Sequence, residues 1–203
     1  MSYWGNDIVA LDDSDFQTDA RIGRWIEKVC TSNEAAYLAA SHQVNQNRWG
    51  LWSCKESVYK VLIKTGVAPF MNAKRIEIVY GESTGEGTQN FIATFERKKF
   101  YGISSMNKHW VHSICCDFPL EEQSYHSEIL NTDVDTASQE LRVKIIEVLK
   151  INHQIKVDKI IQSPSNIPTV ICINPETEID LSISHHAPYS AYLFHICQKE
   201  NSI

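Results

Sequence analysis

Two carboxylates and two lysines stand in this chain at spacings that would let them meet. Asp7 lies in Gly5-Asn6-Asp7-Ile8-Val9, and 45 residues after it begins Trp52-Ser53-Cys54-Lys55-Glu56-Ser57-Val58-Tyr59-Lys60. If the second stretch is helical, Trp52, Glu56 and Lys60 follow at four-residue steps with Lys55 alongside, so ring, carboxylate and ammonium share a face. Glu56 and Lys60 by themselves make only a helical ion pair, worth roughly 0.3–0.5 kcal/mol. Asp7 alone would be an ordinary turn aspartate. Brought together, the two acids would hold a hard divalent cation, next to lysines that can hold an anion. Asp12 and Asp13 read as solvated or capping acids instead of ligands.

Gly-x-Asp-Ile-Val followed by Trp-x-x-Lys-Glu-x-x-x-Lys resembles the 4′-phosphopantetheinyl transferases, most closely their holo-acyl-carrier-protein synthase branch. The intervening Arg24-Trp25-Ile26-Glu27-Lys28-Val29 and Thr31-x-x-Glu34 fit the same pattern, so the closest likeness covers roughly residues 5–66. Farther on, Leu181-Ser182-Ile183-Ser184-His185 and Tyr189-Ser190-Ala191 are similar to the family's serine and histidine strand near coenzyme A. The resemblance implies transfer of the phosphopantetheine arm of coenzyme A to a serine of an acyl or peptidyl carrier protein, releasing 3′,5′-ADP. It implies Asp7 and Glu56 as magnesium ligands, with water where the larger family members place a third acid, here Val9. Lys60 would hold the pyrophosphate, Lys55 would reach the coenzyme phosphates, and Ser184 and His185 would contact the nucleotide. Glu56, directly or through a water, would accept the serine proton. Trp52 would pack. His186, next to His185 on a strand, would face the other way.

Bulk properties bound the partners. At 203 residues the chain can bury a core as one domain or two small halves, and its net charge of −6 argues against general nucleic-acid binding. No apolar run approaches the roughly 20 residues of a membrane span, and the first residues lack the regions of a secretion signal, so a cytoplasmic protein is expected. Six scattered cysteines, at 30, 54, 115, 116, 172 and 197, suit reduced thiols. Carrier proteins are usually acidic, so an acidic enzyme needs a local basic patch; Arg21, Arg24 and Lys28 are candidates, a solvated helix face being the other reading. His109, His112, Cys115 and Cys116 invite a zinc reading, yet strand geometry sends them to opposite faces.

An α+β fold follows from the patterning. Ile22, Trp25, Ile26 and Val29 mark a helix ending near Cys30, and Thr31-Ser32-Asn33-Glu34 has the form of a capping box opening a helix to about Ala40. His42 to Asn47 reads as loop, followed by a motif helix from about Trp49 to Lys64 that stops at Gly66. Strands are expected at 75–80, 91–95, 99–104 and 110–116, with 81–87 a turn or flexible loop and 117–135 a polar connector. Thr136 can cap a helix buried through Leu141, Ile145, Val148 and Leu149, before strands at 157–161, 169–173, 179–184 and 189–197, separated by Pro164, Pro168 and Asn174-Pro175. The two strand sets correspond loosely, with 103–105 opposite 183–185 and 113–115 opposite 195–197. Two similar halves, each a small antiparallel sheet packed on helices and related by a pseudo-twofold axis, are expected at 1–118 and 119–203, the site lying between them. Holo-acyl-carrier-protein synthases are trimers, whereas larger family members fuse two halves; a two-half monomer is the expectation for this chain. A non-catalytic module binding coenzyme A or a carrier protein, or a purely structural interaction domain, are the other readings.

Overall fold

The computed structural model describes residues 2–11, 21–120, 125–163 and 166–197. Asp12, Asp13 and Pro164 lie outside the described residues. The architecture is α+β, with two five-stranded antiparallel sheets. The first comprises β1 (Trp4–Ala10), β2 (Ile76–Gly85), β3 (Thr88–Phe95), β4 (Lys98–Met106) and β5 (Trp110–Cys116), in the order β1-β5-β4-β3-β2. The second comprises β6 (His126–Asn131), β7 (Val157–Gln162), β8 (Pro168–Cys172), β9 (Glu178–His186) and β10 (Tyr189–Cys197), in the order β6-β10-β9-β8-β7. The second sheet thus repeats the first strand for strand.

Between β1 and β2 run α1 (Ile22–Val29), α2 (Ser32–Ala39) and α3 (Val44–Lys64), and between β6 and β7 runs α4 (Ala137–His153). Leu51, Cys54, Val58, Val61 and Leu62 of α3 bury against Ile76, Ile78, Phe91, Ala93, Phe95 and Phe100. Leu141, Ile145, Val148 and Leu149 of α4 do the same against Val170, Leu181, Tyr192 and Phe194. The capping box forms: the Glu34 N–H donates to Thr31 Oγ1 (3.3 Å) and the Thr31 N–H to Glu34 Oε2 (2.7 Å). α3 ends where Gly66 adopts φ +87°, a conformation that costs glycine little.

Several elements depart from the sequence expectations. α3 begins at Val44, because Ser41 Oγ collects the donors ahead of it, from the Gln43 N–H (3.0 Å) and Asn47 Nδ2 (2.6 Å). Residues 81–85 continue β2 through bulges to a turn at Gly87. The connector at 117–135 contains β6, which pairs with β10. Thr136 sits at the N-cap of α4 without capping, its hydroxyl donating instead to Glu140 Oε1. The internal correspondence also shifts: Ser104 lies across from Ser113 but Ser184 across from Ala191, so if Ser104 matches Ser184, the counterpart of Ser113 is Ala191, not His195.

The junction between the sheets is less symmetric than their topology. β1 packs along β9 and β10, whereas β6 has no comparable packing on β4 or β5. α3 also crosses β1 closely, at Gly5: a Cβ there would stand 2.0 Å from the Ser57 carbonyl oxygen. Gly5→Ala must therefore push α3 off β1. It is expected to cost at least about 2–3 kcal/mol in urea unfolding.

Candidate active site

Asp7 comes from β1, and Glu56 and Lys60 from the helix lying on it. The Ser53 hydroxyl donates to the Asp7 carbonyl (3.0 Å), fixing the crossing one turn from Glu56. Lys60 Nζ lies 3.4 Å from Asp7 Oδ1 and donates to the Asn6 carbonyl (2.7 Å). Asp7 is only 14 % exposed, and its pKa is raised from 3.8 to about 7; burial is the main cause and Glu56 adds to it, while Lys60 opposes both. Burial likewise raises Glu56 against the pull of Lys60. Two desolvated carboxylates that share the charge of Lys60 form a site short of positive charge.

The second sheet reaches this group through β9. Lys60 Nζ donates to the Ile183 carbonyl (3.2 Å), and the Asn6 N–H donates to Ser182 Oγ (3.0 Å). Asn6 Nδ2 donates to Ser184 Oγ (3.1 Å) and lies 3.3 Å from His112 Nε2. Ser184 thus belongs to a buried seam. His185 points to the other face, exposed, with Nδ1 3.0 Å from Ser190 Oγ. Its pKa is lowered by partial burial, then by the positive charges of Lys60 and Arg142, the latter donating to the Ile160 carbonyl (2.7 Å).

Lys55 is placed elsewhere. Its side chain is 2 % exposed, and the ammonium pairs with Glu34 Oε2 at 2.8 Å and donates to the carbonyls of Ala73 (3.1 Å) and Ile76 (2.5 Å). All three N–H groups are used. Glu34 Oε1 in turn accepts from the Ile78 N–H (2.8 Å), so the pair staples α2 and α3 to β2. Breaking a buried pair strands one charge; Lys55→Ala is expected to lose roughly 3–5 kcal/mol in denaturant unfolding, more than any exposed lysine replaced alike.

The model of the 4′-phosphopantetheinyl transferase superfamily matches residues 4–115, more than half of the chain and the whole stretch from β1 through α3 to β5. The chain belongs to that superfamily. No curated protein matches it. A hard cation held by Asp7 and Glu56 would offset the burial and the carboxylate crowding that together lift Asp7. Among the described residues no third His, Cys, Asp or Glu joins them, so phosphate and water oxygens would complete the shell. His112 turns to Asn6 and the Cys116 thiol to the Phe118 carbonyl (2.8 Å), so the histidines and cysteines of β5 do not converge.

Trp52 packs against Trp25 with ring centroids 6.4 Å apart, docking α1 on α3. Sequence reading passed over Ser53, Lys64, Asp180 and Arg142. Lys64 at four residues beyond Lys60, and Asp180 at two-residue steps from Ser182 and Ser184, were the available signals.

Proposed function

We propose that this protein transfers 4′-phosphopantetheine from coenzyme A to a serine of an apo acyl or peptidyl carrier protein, with magnesium and in the manner of the holo-acyl-carrier-protein synthases. The observation carrying this reading is the meeting of Asp7, Glu56 and Lys60 beside the serine strand, at the seam between residues 1–118 and 119–203. Cavities flank it on both sides. One, about 370 Å³, is lined by Tyr59, Lys60, Ile63, Pro168, Ser182 and Ile183 and suits the coenzyme. The other, about 380 Å³, is lined by Lys28, Trp52, Glu56, Tyr59, Phe70 and Met71 and would receive the serine-bearing loop of the carrier protein. Arg21, Arg24 and Lys28 are exposed on or beside α1, offering a basic surface to an acidic partner.

Asp7 and Glu56 would hold the magnesium ion, which when bound neutralises pyrophosphate charge. The carrier serine oxygen bonds to the phosphorus bearing the pantetheine arm, the bridging P–O bond breaks, and 3′,5′-ADP leaves. Glu56, its affinity for protons raised by burial, accepts the serine proton directly or through a water. Lys60, already held by two carbonyls, meets the charge developing on the leaving phosphate. His185 would contact the nucleotide phosphates from the exposed side of β9, while buried Ser184 and Lys55 support the site from behind.

The family match ends at residue 115, before the serine strand, which favours as second reading a module that binds coenzyme A without transfer. Mass spectrometry of an apo carrier protein after incubation with coenzyme A, magnesium and this protein decides. Transfer adds the arm's mass, a silent binder gives only a complex, and an interaction domain ignores the coenzyme. Among the described residues no helix is long and apolar enough to cross a membrane, and the reading is of a cytoplasmic monomer.

A further inference from the structure

Residues 5, 7 and 9 of β1 turn their backbone groups toward β5, so those of Trp4 and Asn6 point the other way, at the second half. Side chains receive them. At Trp4 the N–H donates to Asp180 Oδ2 (2.6 Å), the carbonyl accepts from Lys64 Nζ (2.5 Å), and Lys64 pairs with Asp180 at 2.8 Å. At Asn6 the N–H donates to Ser182 Oγ (3.0 Å) and the carbonyl accepts from Lys60 Nζ (2.7 Å). Two strand residues advance about 6.7 Å and four helical residues about 6 Å, so Lys64 and Lys60, Trp4 and Asn6, Asp180 and Ser182 keep step as two rungs.

We infer that Lys64 and Asp180 are positioning residues for Lys60, clamping β9 to β1 one helical turn away. The two carbonyls that hold the Lys60 ammonium come from opposite sides of the seam, Asn6 on β1 and Ile183 on β9. Their separation depends on how closely β9 lies against β1, and the nearest charged tie is the Lys64–Asp180 pair, whose side chains are 5 % and 8 % exposed. Burial raises Asp180 and lowers Lys64 in pKa, and each partner's charge opposes the shift of the other. When the outer rung loosens, the Ile183 carbonyl withdraws and Lys60 swings onto Asp7, now 3.4 Å away, occupying an acid the site needs. The catalytic consequence rests on the transfer reading; the clamp itself does not.

The test is Asp180→Asn, with Asp180→Glu as the milder change should the first not fold. Hydrogen exchange at the Trp4 and Asn6 amides is followed alongside steady-state transfer. The Asn6 amide is expected to exchange at least about tenfold faster although Ser182, its own acceptor, is untouched. Turnover falls about tenfold with the KM for coenzyme A within about twofold. Faster exchange at Trp4 alone, or equal acceleration throughout both sheets, overturns the clamp, and unchanged turnover beside faster Asn6 exchange overturns the positioning of Lys60. A wild-type protein that never transfers the arm sinks the transfer reading only, because Asn6 exchange still decides the clamp.

Discussion

Asp7→Asn is expected to abolish phosphopantetheine transfer and, without divalent cation, to make the protein more stable at pH 8. A carboxylate lost from a metal site removes several kcal/mol of charge stabilisation, so the rate should fall roughly 10³-fold. The stability gain comes from the position of Asp7, whose pKa is raised from 3.8 to about 7 chiefly by burial. Between those values the folded chain keeps a proton that the unfolded chain has released. Wild-type stability therefore falls as pH rises through this window, by roughly 3–5 kcal/mol from this group. Asparagine carries no such charge. Urea unfolding of both proteins at pH 4.5 and pH 8, in chelator, should show a gap opening only at the higher pH. Added magnesium should then stabilise the wild type and not the variant. Parallel pH profiles for the two would remove the burial-raised pKa of Asp7, and equal stabilisation of both by magnesium would remove Asp7 from the set of metal ligands.

Lys60→Met should lower transfer at least about 10²-fold, mainly in turnover, since in the proposed reaction the ammonium would meet charge that appears as the bond breaks. Its loss does two further things. The Asn6 and Ile183 carbonyls lose a shared donor across the seam, costing about 1–3 kcal/mol of stability. Asp7 and Glu56 lose the one cation that lowers both, so their pKa values climb further. Lys60→Arg keeps the charge but not the compact geometry between two carbonyls, and should recover only part of the rate. Single-turnover measurements with coenzyme A and an apo carrier protein check this; equal rates for wild type and Lys60→Met would contradict the assignment.

Among the described residues, all four α-helices and eight of the ten strands were legible locally. The Thr31–Glu34 capping box, the stop at Gly66 and the apolar steps of α3 and α4 involve neighbours a few residues apart, where periodicity and capping act. The strands that escaped, β1 and β6, are the matching members of the two sheets. Each joins its sheet by pairing with the last strand, β5 or β10, far along the chain. The polar His126-Ser127-Glu128 stretch has no local reason to extend. The site shows the same division. Asp7, Glu56 and Lys60 stood at spacings that residue types could reveal, whereas the fate of Lys55 depended on Glu34 of another helix arriving to take its ammonium.

The sequence alone determined which groups could do chemistry, because helix and strand periods fix which side chains share a face. Only the tertiary structure decided which of them meet. Gly5 lets α3 settle on β1, and Lys64 and Asp180 bind β9 to the same edge, so Lys60 ends between two halves that no local rule brings together. Burial then set the charges, raising Asp7 toward neutrality by excluding water that the sequence could not show to be missing.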